Sequence, residues 1–460
     1  MTVDLAIVGG TLVTPEGERP GTLVVRGGVI AGIAAPGETV AGEAVDARGL
    51  HVLPGLIDIH CHIRAPAYPH RGTVASETAA CAAGGITTVF EMPITDPCCN
   101  SPERVGSRRA HFAESAVIDF GLYAAPLDLS QKAVDALAAS GIVAFKIFTT
   151  PAPPGREHEF AGLAWPDEAD QLRALTLIAR TGLPVVVHAE SASLLAQAEA
   201  EARALDPADA RTHGRARPPL AEALAVAKLL TMNIQAGARL HIAHVTGAAT
   251  VDVLRRFKGS SDFSAETCPH YLRYTEADVA RAGVAARINP PIRLAADREA
   301  LWEAIADGNI AHVTTDHAGF SEAEKGAAVG DFLAAPPGHP GTETMLPSLL
   351  DAVAGGRLTL AHASALVSAN AAARFGLSDR GRVAPGARAD LVLVDLTVET
   401  RVTPLSLVTA AAPVARLSHG EAFRGRVVRT VASGRTVWDG ASAGPPGAGR
   451  PVAPHRQGPR

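Results

Sequence analysis

Cysteine is scarce. The chain of 460 residues has five, at positions 61, 81, 98, 99 and 268, and none forms a CxxC pair. That spacing excludes a disulfide framework and a cysteine-bound zinc site. Aromatic residues reach only 4% and charged residues 19%. Long apolar runs are missing too, since no stretch approaches the ~18 residues that a membrane helix needs. No block of basic residues stands out and the formal net charge is −5, which removes any general attraction to nucleic acid or an anionic membrane. The N-terminal stretch MTVDLAIVGGTLV has no positive region ahead of its apolar residues, so it reads as a strand rather than a signal peptide. These absences leave a reduced, cytoplasmic, globular protein.

What is present divides into three textures. Residues 1–53 contain the strand-like runs LAIVGGTLV, GTLVVRGGVIAGIA and EAVDARGLHVL, cut by glycine pairs of the kind that hairpins require. The same texture returns over 379–440, in RADLVLVDL and RVVRTVASGRTVWDG. Each segment is too small to bury a core alone, so the two predict one small β-sandwich domain built from both chain ends. Between them, over 54–378, short apolar runs alternate with helical stretches such as DEADQLRALTLIARTG and PPLAEALAVAKLLTMNIQAG. Alternation of this kind predicts an α/β fold with a parallel sheet, closed at this length into a TIM-like (β/α)8 barrel. The last segment, 441–460, is rich in Pro, Gly and Ala and reads as a disordered tail.

The residues that end the apolar runs carry the chemistry. GLIDIHCH ends in His60 and His62, IVAFK in Lys146, VVVH in His188, LHIAH in His244 and HVTTD in Asp316. In a barrel the carboxyl ends of the strands converge on one face, where active sites form. Strand alternation puts His60 and His62 on one side, within reach of one ion. Imidazole and carboxylate suit divalent zinc or manganese. A lone histidine at a strand end is more often a hydrogen-bonded core residue than a ligand. Lysine inside an apolar strand is costly unless paired or modified, and an amine carrying a CO2-derived carbamate becomes the anionic bridge that four histidines and an aspartate lack. The coincidence of all six favours a metal centre.

In order and spacing, GLIDIHCH, AFKIF, VVVHAES, HIAHVTG, AETCPHYL and TTDHAGF resemble the cyclic amidohydrolases of the amidohydrolase superfamily, which include hydantoinase, dihydropyrimidinase, allantoinase and dihydroorotase. The resemblance implies two divalent metal ions per subunit, zinc first, with manganese, cobalt or iron as alternatives. It places His60, His62 and Asp316 on one ion, His188 and His244 on the other, and N6-carboxylated Lys146 between them. Asp316 would also move the catalytic proton. The substrate would be a small cyclic amide, and the protein a homo-oligomer, dimeric or tetrameric.

The substrate contacts are mixed. Arg64 matches the dihydroorotase carboxylate grip, but Ile94 and Phe320 stand where that grip has Asn and His. The tyrosine that hydantoinases carry after the bridging lysine is replaced by Thr149 and Thr150. Asn289 in RINPPIR is either a contact to the ring amide or a turn-forming residue. His270 and His317 read as supporting residues, Cys98 and Cys99 as small packing residues, and the loop at 335–341 as a flank of the site. The expected function is hydrolysis of a hydantoin, dihydropyrimidine or allantoin ring. Dihydroorotase is the alternative within the class, and a scaffold on the same fold is the alternative outside it.

Overall fold

Glycine turns cut the N-terminal segment into short strands. The structure is a computed structural model that describes residues 4–35 and 42–454. It begins with β1 (Leu5–Thr14), β2 (Gly17–Arg26), β3 (Val29–Ala34), β4 (Glu43–Asp46) and β5 (His51–Pro54). Gly27 and Gly28, both at positive φ (58° and 75°), make the two-residue turn between β2 and β3 that matches strand twist. Gly28 is also tightly enclosed, because a Cβ there would lie 2.8 Å from the Ser433 carbonyl oxygen. β1 forks the sheet: Leu5–Val8 run parallel to β4, and Thr11–Leu12 parallel to β5.

Eight strand positions follow: β6 (Leu56–His62), β7 (Ile86–Glu91), β8 (Asp119–Ala124), β9 (Ala144–Phe148), β10 (Pro184–His188), β11 (Arg239–Ile242), β12 (Phe263–Thr267), and an eighth in two pieces, β13 (His312–Val313) and β14 (His317–Ala318). Neighbours are parallel throughout. β13 pairs with β12, and β14 pairs with β6, so the eighth position closes the ring. The gap between its two pieces is filled from β6. The buried Asp58 carboxylate accepts the Thr315 backbone N–H at 3.1 Å and its hydroxyl at 2.6 Å. Inside the ring, Phe375 packs edge-on against Phe90 and Tyr123, at 5.4 and 6.4 Å between centroids. Helices cover the outside; the one at Glu168–Ala179 is capped by Asp167, which accepts the Ala169 and Asp170 N–H groups, and buries Ala174, Leu175 and Ile178.

The chain then returns to the first sheet with β15 (Leu391–Arg401), β16 (Ala422–Ala432) and β17 (Arg435–Trp438). β15 lies antiparallel to β5, giving the order β17-β16-β15-β5-β1-β2-β3. Leu5, Ile7, Leu23 and Val25 share one buried cluster with Leu391, Leu393 and Val431, so each chain end supplies part of the core that the other needs.

The expected disorder of 441–460 is corrected for the described part. Phe120 donates its N–H to the Arg450 carbonyl, and Val452 donates to Phe120. The Arg450 N–H meets Asp119 at 2.9 Å, and Val452 joins the cluster inside the barrel. Backbone pairing needs no particular side chains, so a Pro- and Gly-rich segment can add to a strand that composition alone does not reveal. Residues 455–460 lie outside the described residues. Among the described residues no helix is long and apolar enough to cross a membrane.

Candidate metal centre

His60 and His62 end β6 with their Nε2 atoms each 3.3 Å from Asp316 Oδ1. Among the described residues these three form a group whose ligand atoms lie within 4.8 Å of one another. Donors bound at 2.0–2.1 Å around a tetrahedral ion sit about 3.4 Å apart, so the observed spacing suits an ion between them. A second pair stands beside the first. His188 Nδ1, at the end of β10, is 3.0 Å from His244 Nε2, and the His60 and His244 rings are 5.4 Å apart. His244 and Asp316 are held at left-handed φ values of 37° and 44°, a backbone cost that side-chain aiming at a functional site explains. Burial pushes His62 down to about 3 and lowers His188 and His244, which keeps these rings in the neutral form that binds metal.

Lys146, on β9, is fully buried. Its Nζ has no hydrogen-bond partner among the described residues and sits 5.2 Å from the Phe148 ring centre. Burial pushes the amine down to about 8, against the pull of Glu266 and Asp316. An unpaired buried amine is penalised, and a donor set of four imidazoles, one carboxylate and one modifiable amine fits two divalent ions.

Two carboxylates that sequence reasoning missed hold the outer sides of the imidazoles. Glu266, near the end of β12, takes His60 Nδ1 on one oxygen and His241 Nε2 on the other at 3.0 Å. Burial acts to raise its pKa, but His60 and His241 outweigh it and hold the carboxyl well below the usual range. Glu190 takes His188 Nε2 at 2.7 Å and pairs with Arg217. Such outer partners fix the tautomer and aim of a metal-binding ring. A signal existed for one of them: Glu190 stands two residues after His188, as His62 stands after His60, whereas Glu266 lies in the mixed strand FSAET and carries no such mark. Glu190→Gln is expected to weaken zinc binding roughly 10- to 100-fold. Chelator competition checks this, and an unchanged zinc affinity would remove the role.

The other candidates fall into place around this cluster. The Ile63 and Arg64 N–H groups both donate to Glu91 at 2.8 Å, which pins the backbone just past His62. Arg64 is 5% exposed; its guanidinium lies 5.0 Å from the Phe320 ring centre, with Nε and Nη1 lacking partners. Phe320 also meets Arg71 and Lys325, at 4.6 and 5.4 Å. Ile94 and Cys98 pack together with Phe160 and Leu163, while Cys99 belongs to the main core. Thr149 donates its hydroxyl to the Glu190 carbonyl at 2.8 Å and accepts the Glu190 N–H at 2.9 Å, so it braces Glu190. His317 Nε2 faces Glu77 at 3.1 Å. His270 stacks edge-on against Tyr271. Lys325 fastens the 335–341 loop by donating to the Pro336 carbonyl at 2.7 Å. Asn289 Oδ1 meets His213 Nε2 at 2.9 Å.

Known proteins agree with this architecture. The amidohydrolase family model matches residues 51–437. An allantoinase of Rubrobacter xylanophilus is 36% identical over 459 residues, covering 99% of this chain and 98% of its own length. A dihydroorotase of Halobacterium salinarum is 35% identical over 429 residues, covering 89% of this chain and 92% of its own. The solved L-hydantoinase (dihydropyrimidinase) of Arthrobacter aurescens superposes with a TM-score of 0.91 at 27% identity, covering 98% of this chain and 100% of that one. The chain belongs to the amidohydrolase family and is a cyclic amidohydrolase.

Proposed function

We propose that this enzyme opens the ring of allantoin. The observation that carries the reaction is Lys146: a fully buried amine without a hydrogen-bond partner, near enough to His188, His244 and Asp316 for its charge to act on the two rings and for the carboxylate to act on it. His60, His62 and Asp316 would hold one divalent ion, zinc first, and His188 and His244 the other, with carboxylated Lys146 between them. The lowered pKa of Lys146 favours the free amine that must combine with CO2. Two bound ions supply acidified water and a polarised carbonyl. Glu266 and Glu190 hold the imidazoles to one aim. Asp316 turns Oδ1 to His60 and His62, which leaves Oδ2 to take a proton from water and hand it to the ring nitrogen as the C–N bond breaks.

Three features support allantoin among the rings. Ile94 and Phe320 are committed to packing, so the full carboxylate grip of a dihydroorotase is not assembled. Thr149 is committed to Glu190 and does not replace the hydantoinase tyrosine. The Rubrobacter relative at 36% identity is an allantoinase. The unpartnered, buried Arg64 guanidinium favours dihydroorotate as the second reading. The test is a side-by-side assay of zinc-loaded protein with allantoin, hydantoin, dihydrouracil and dihydroorotate. Allantoin is expected to lead dihydroorotate by roughly 100-fold or more in kcat/KM, since a ring that lacks its matching groups is rejected strongly. A preference for dihydroorotate would reverse the assignment.

A further inference from the structure

The imidazoles of the cluster are held from behind by different means. Behind His60, both Glu266 oxygens face rings, one meeting His60 and the other His241. Behind His188, a single oxygen of Glu190 is shared between the His188 ring and the Arg217 guanidinium. Glu190 is fully buried, and a buried carboxylate without a partner of opposite charge is heavily penalised. Arg217 supplies that partner, so the charge behind His188 belongs to an ion pair.

The chain around Arg217 sets it in this place. It closes the short helix Ala210–Ala216 and stands immediately before Pro218 and Pro219, where the long helix Pro219–Ala236 begins. Helical geometry is disfavoured in a residue before proline, and Arg217 turns a corner at φ −133° and ψ 72°. Its side chain is 11% exposed, and Nη1 faces Glu199 at 3.7 Å. The same residue is tied to the strand end that carries His244. The Arg217 carbonyl accepts from Arg293, whose Nε donates to the Thr246 hydroxyl at 3.1 Å. Thr246 stands two residues after His244 and is anchored by Glu222, which takes its N–H at 3.0 Å and its hydroxyl at 2.5 Å. One corner of the chain therefore reaches His188 through its side chain and His244 through its backbone. The contacts that hold His60, His62 and Asp316 run elsewhere, through Glu266, Glu91 and the Asp58–Thr315 pair.

We infer that Arg217 is a positioning residue for one ion of the pair: it holds Glu190 and the strand end at Thr246, and so fixes His188 and His244, while other groups fix His60, His62 and Asp316. The inference rests on the two-ion reading above and adds the residue on which the second ion depends.

The test is titration of the metal-free full chain with zinc and with cobalt(II), wild type against Arg217→Met, read by calorimetry and by the visible absorption of the cobalt form. Wild type should take up about two ions. Arg217→Met should bind one ion as wild type does and the other roughly 10- to 100-fold more weakly, the usual effect of losing support behind a metal ligand. Its cobalt spectrum should lose the contribution of one site and keep that of the other. A residue that only stabilised the fold would shift both ions together, so equal weakening of both overturns the role, as does unchanged affinity for both. Arg217→Lys, which keeps the charge, should recover most of the loss. Added to Glu190→Gln, Arg217→Met should cost little more, because both act through one contact; fully additive losses would overturn that route. If Arg217→Met fails to fold, Arg217→Gln decides, since it keeps a hydrogen-bond donor without the charge and should still weaken one ion selectively. A wild type that binds a single ion overturns the two-ion reading itself, and this inference with it. Two ions in wild type and two unweakened ions in the variant overturn the inference alone.

Discussion

Asp316→Asn is expected to keep its place beside His60 and His62 and to lose roughly 10²- to 10⁴-fold in kcat, the usual contribution of a positioned acid–base group. The amide is nearly isosteric and still offers an oxygen toward the two imidazoles, so metal content should stay close to wild type. What it lacks is an oxygen that can take and release a proton. Burial works to protonate Asp316, but His60, His62 and His244 outweigh it and hold the carboxyl well below the usual range, so the native side chain enters the cycle ionised and ready to accept. Metal analysis alongside kcat is the check. A fully metallated variant with undiminished turnover would take the proton role away from Asp316.

Lys146→Met is expected to act in opposite directions on metal and on stability. Without the amine there is no bridge, so metal content should fall well below the about two ions per chain that a binuclear centre holds, and activity with it. In the smaller variant Lys146→Ala, short carboxylic acids should restore part of both. In the metal-free state the same change should stabilise. Burial pushes the amine from its ordinary value of 10.5 to about 8, a gap that corresponds to about 3 kcal/mol. Because the folded value is the lower one, this penalty is complete below pH 8, where both states are protonated, and fades as pH rises through the range up to 10.5. Metal-free wild type should therefore gain stability from pH 8 to 10 relative to Lys146→Met, measured by denaturant unfolding. Parallel pH curves would show that the amine is not strained by its site, and a fully metallated, active Lys146→Ala enzyme would remove the bridge.

The ends of the strands were legible because burial makes them so. A polar residue closing or interrupting an apolar run is expensive unless something uses it; His60, His62, His188, His244 and Asp316 close such runs, and Lys146 stands inside one. Glu190, two residues beyond its strand, and Glu266, inside the mixed strand FSAET, are not legible in this way, because a carboxylate behind a ring is distinguished from one beside an ion only by which nitrogen it faces. The break in the eighth barrel strand was not legible at all: HVTTDHA reads as one run, and what interrupts it is Asp58, far away in sequence, capturing Thr315. The His213–Asn289 hydrogen bond was hidden for a similar reason, since its two partners lie in separate connections. The tail from 441 was misread because composition reports what side chains can bury, whereas Arg450 and Val452 are held through their backbones.

The sharing of one sheet by both chain ends has a consequence for synthesis. β5 can meet β15 only after Leu391 has left the ribosome, and the cluster around Leu5, Ile7, Leu391 and Leu393 closes later still, when Val431 arrives. Until then β1, β2 and β5 present an open edge and a half-covered apolar face while the whole barrel is being made. Such pairing between distant segments is slow, and the exposed edge is the surface most prone to wrong association. The sealing of β1, β2 and β5 therefore waits for β15 and β16, and a nascent chain halted before Leu391 carries these strands uncovered.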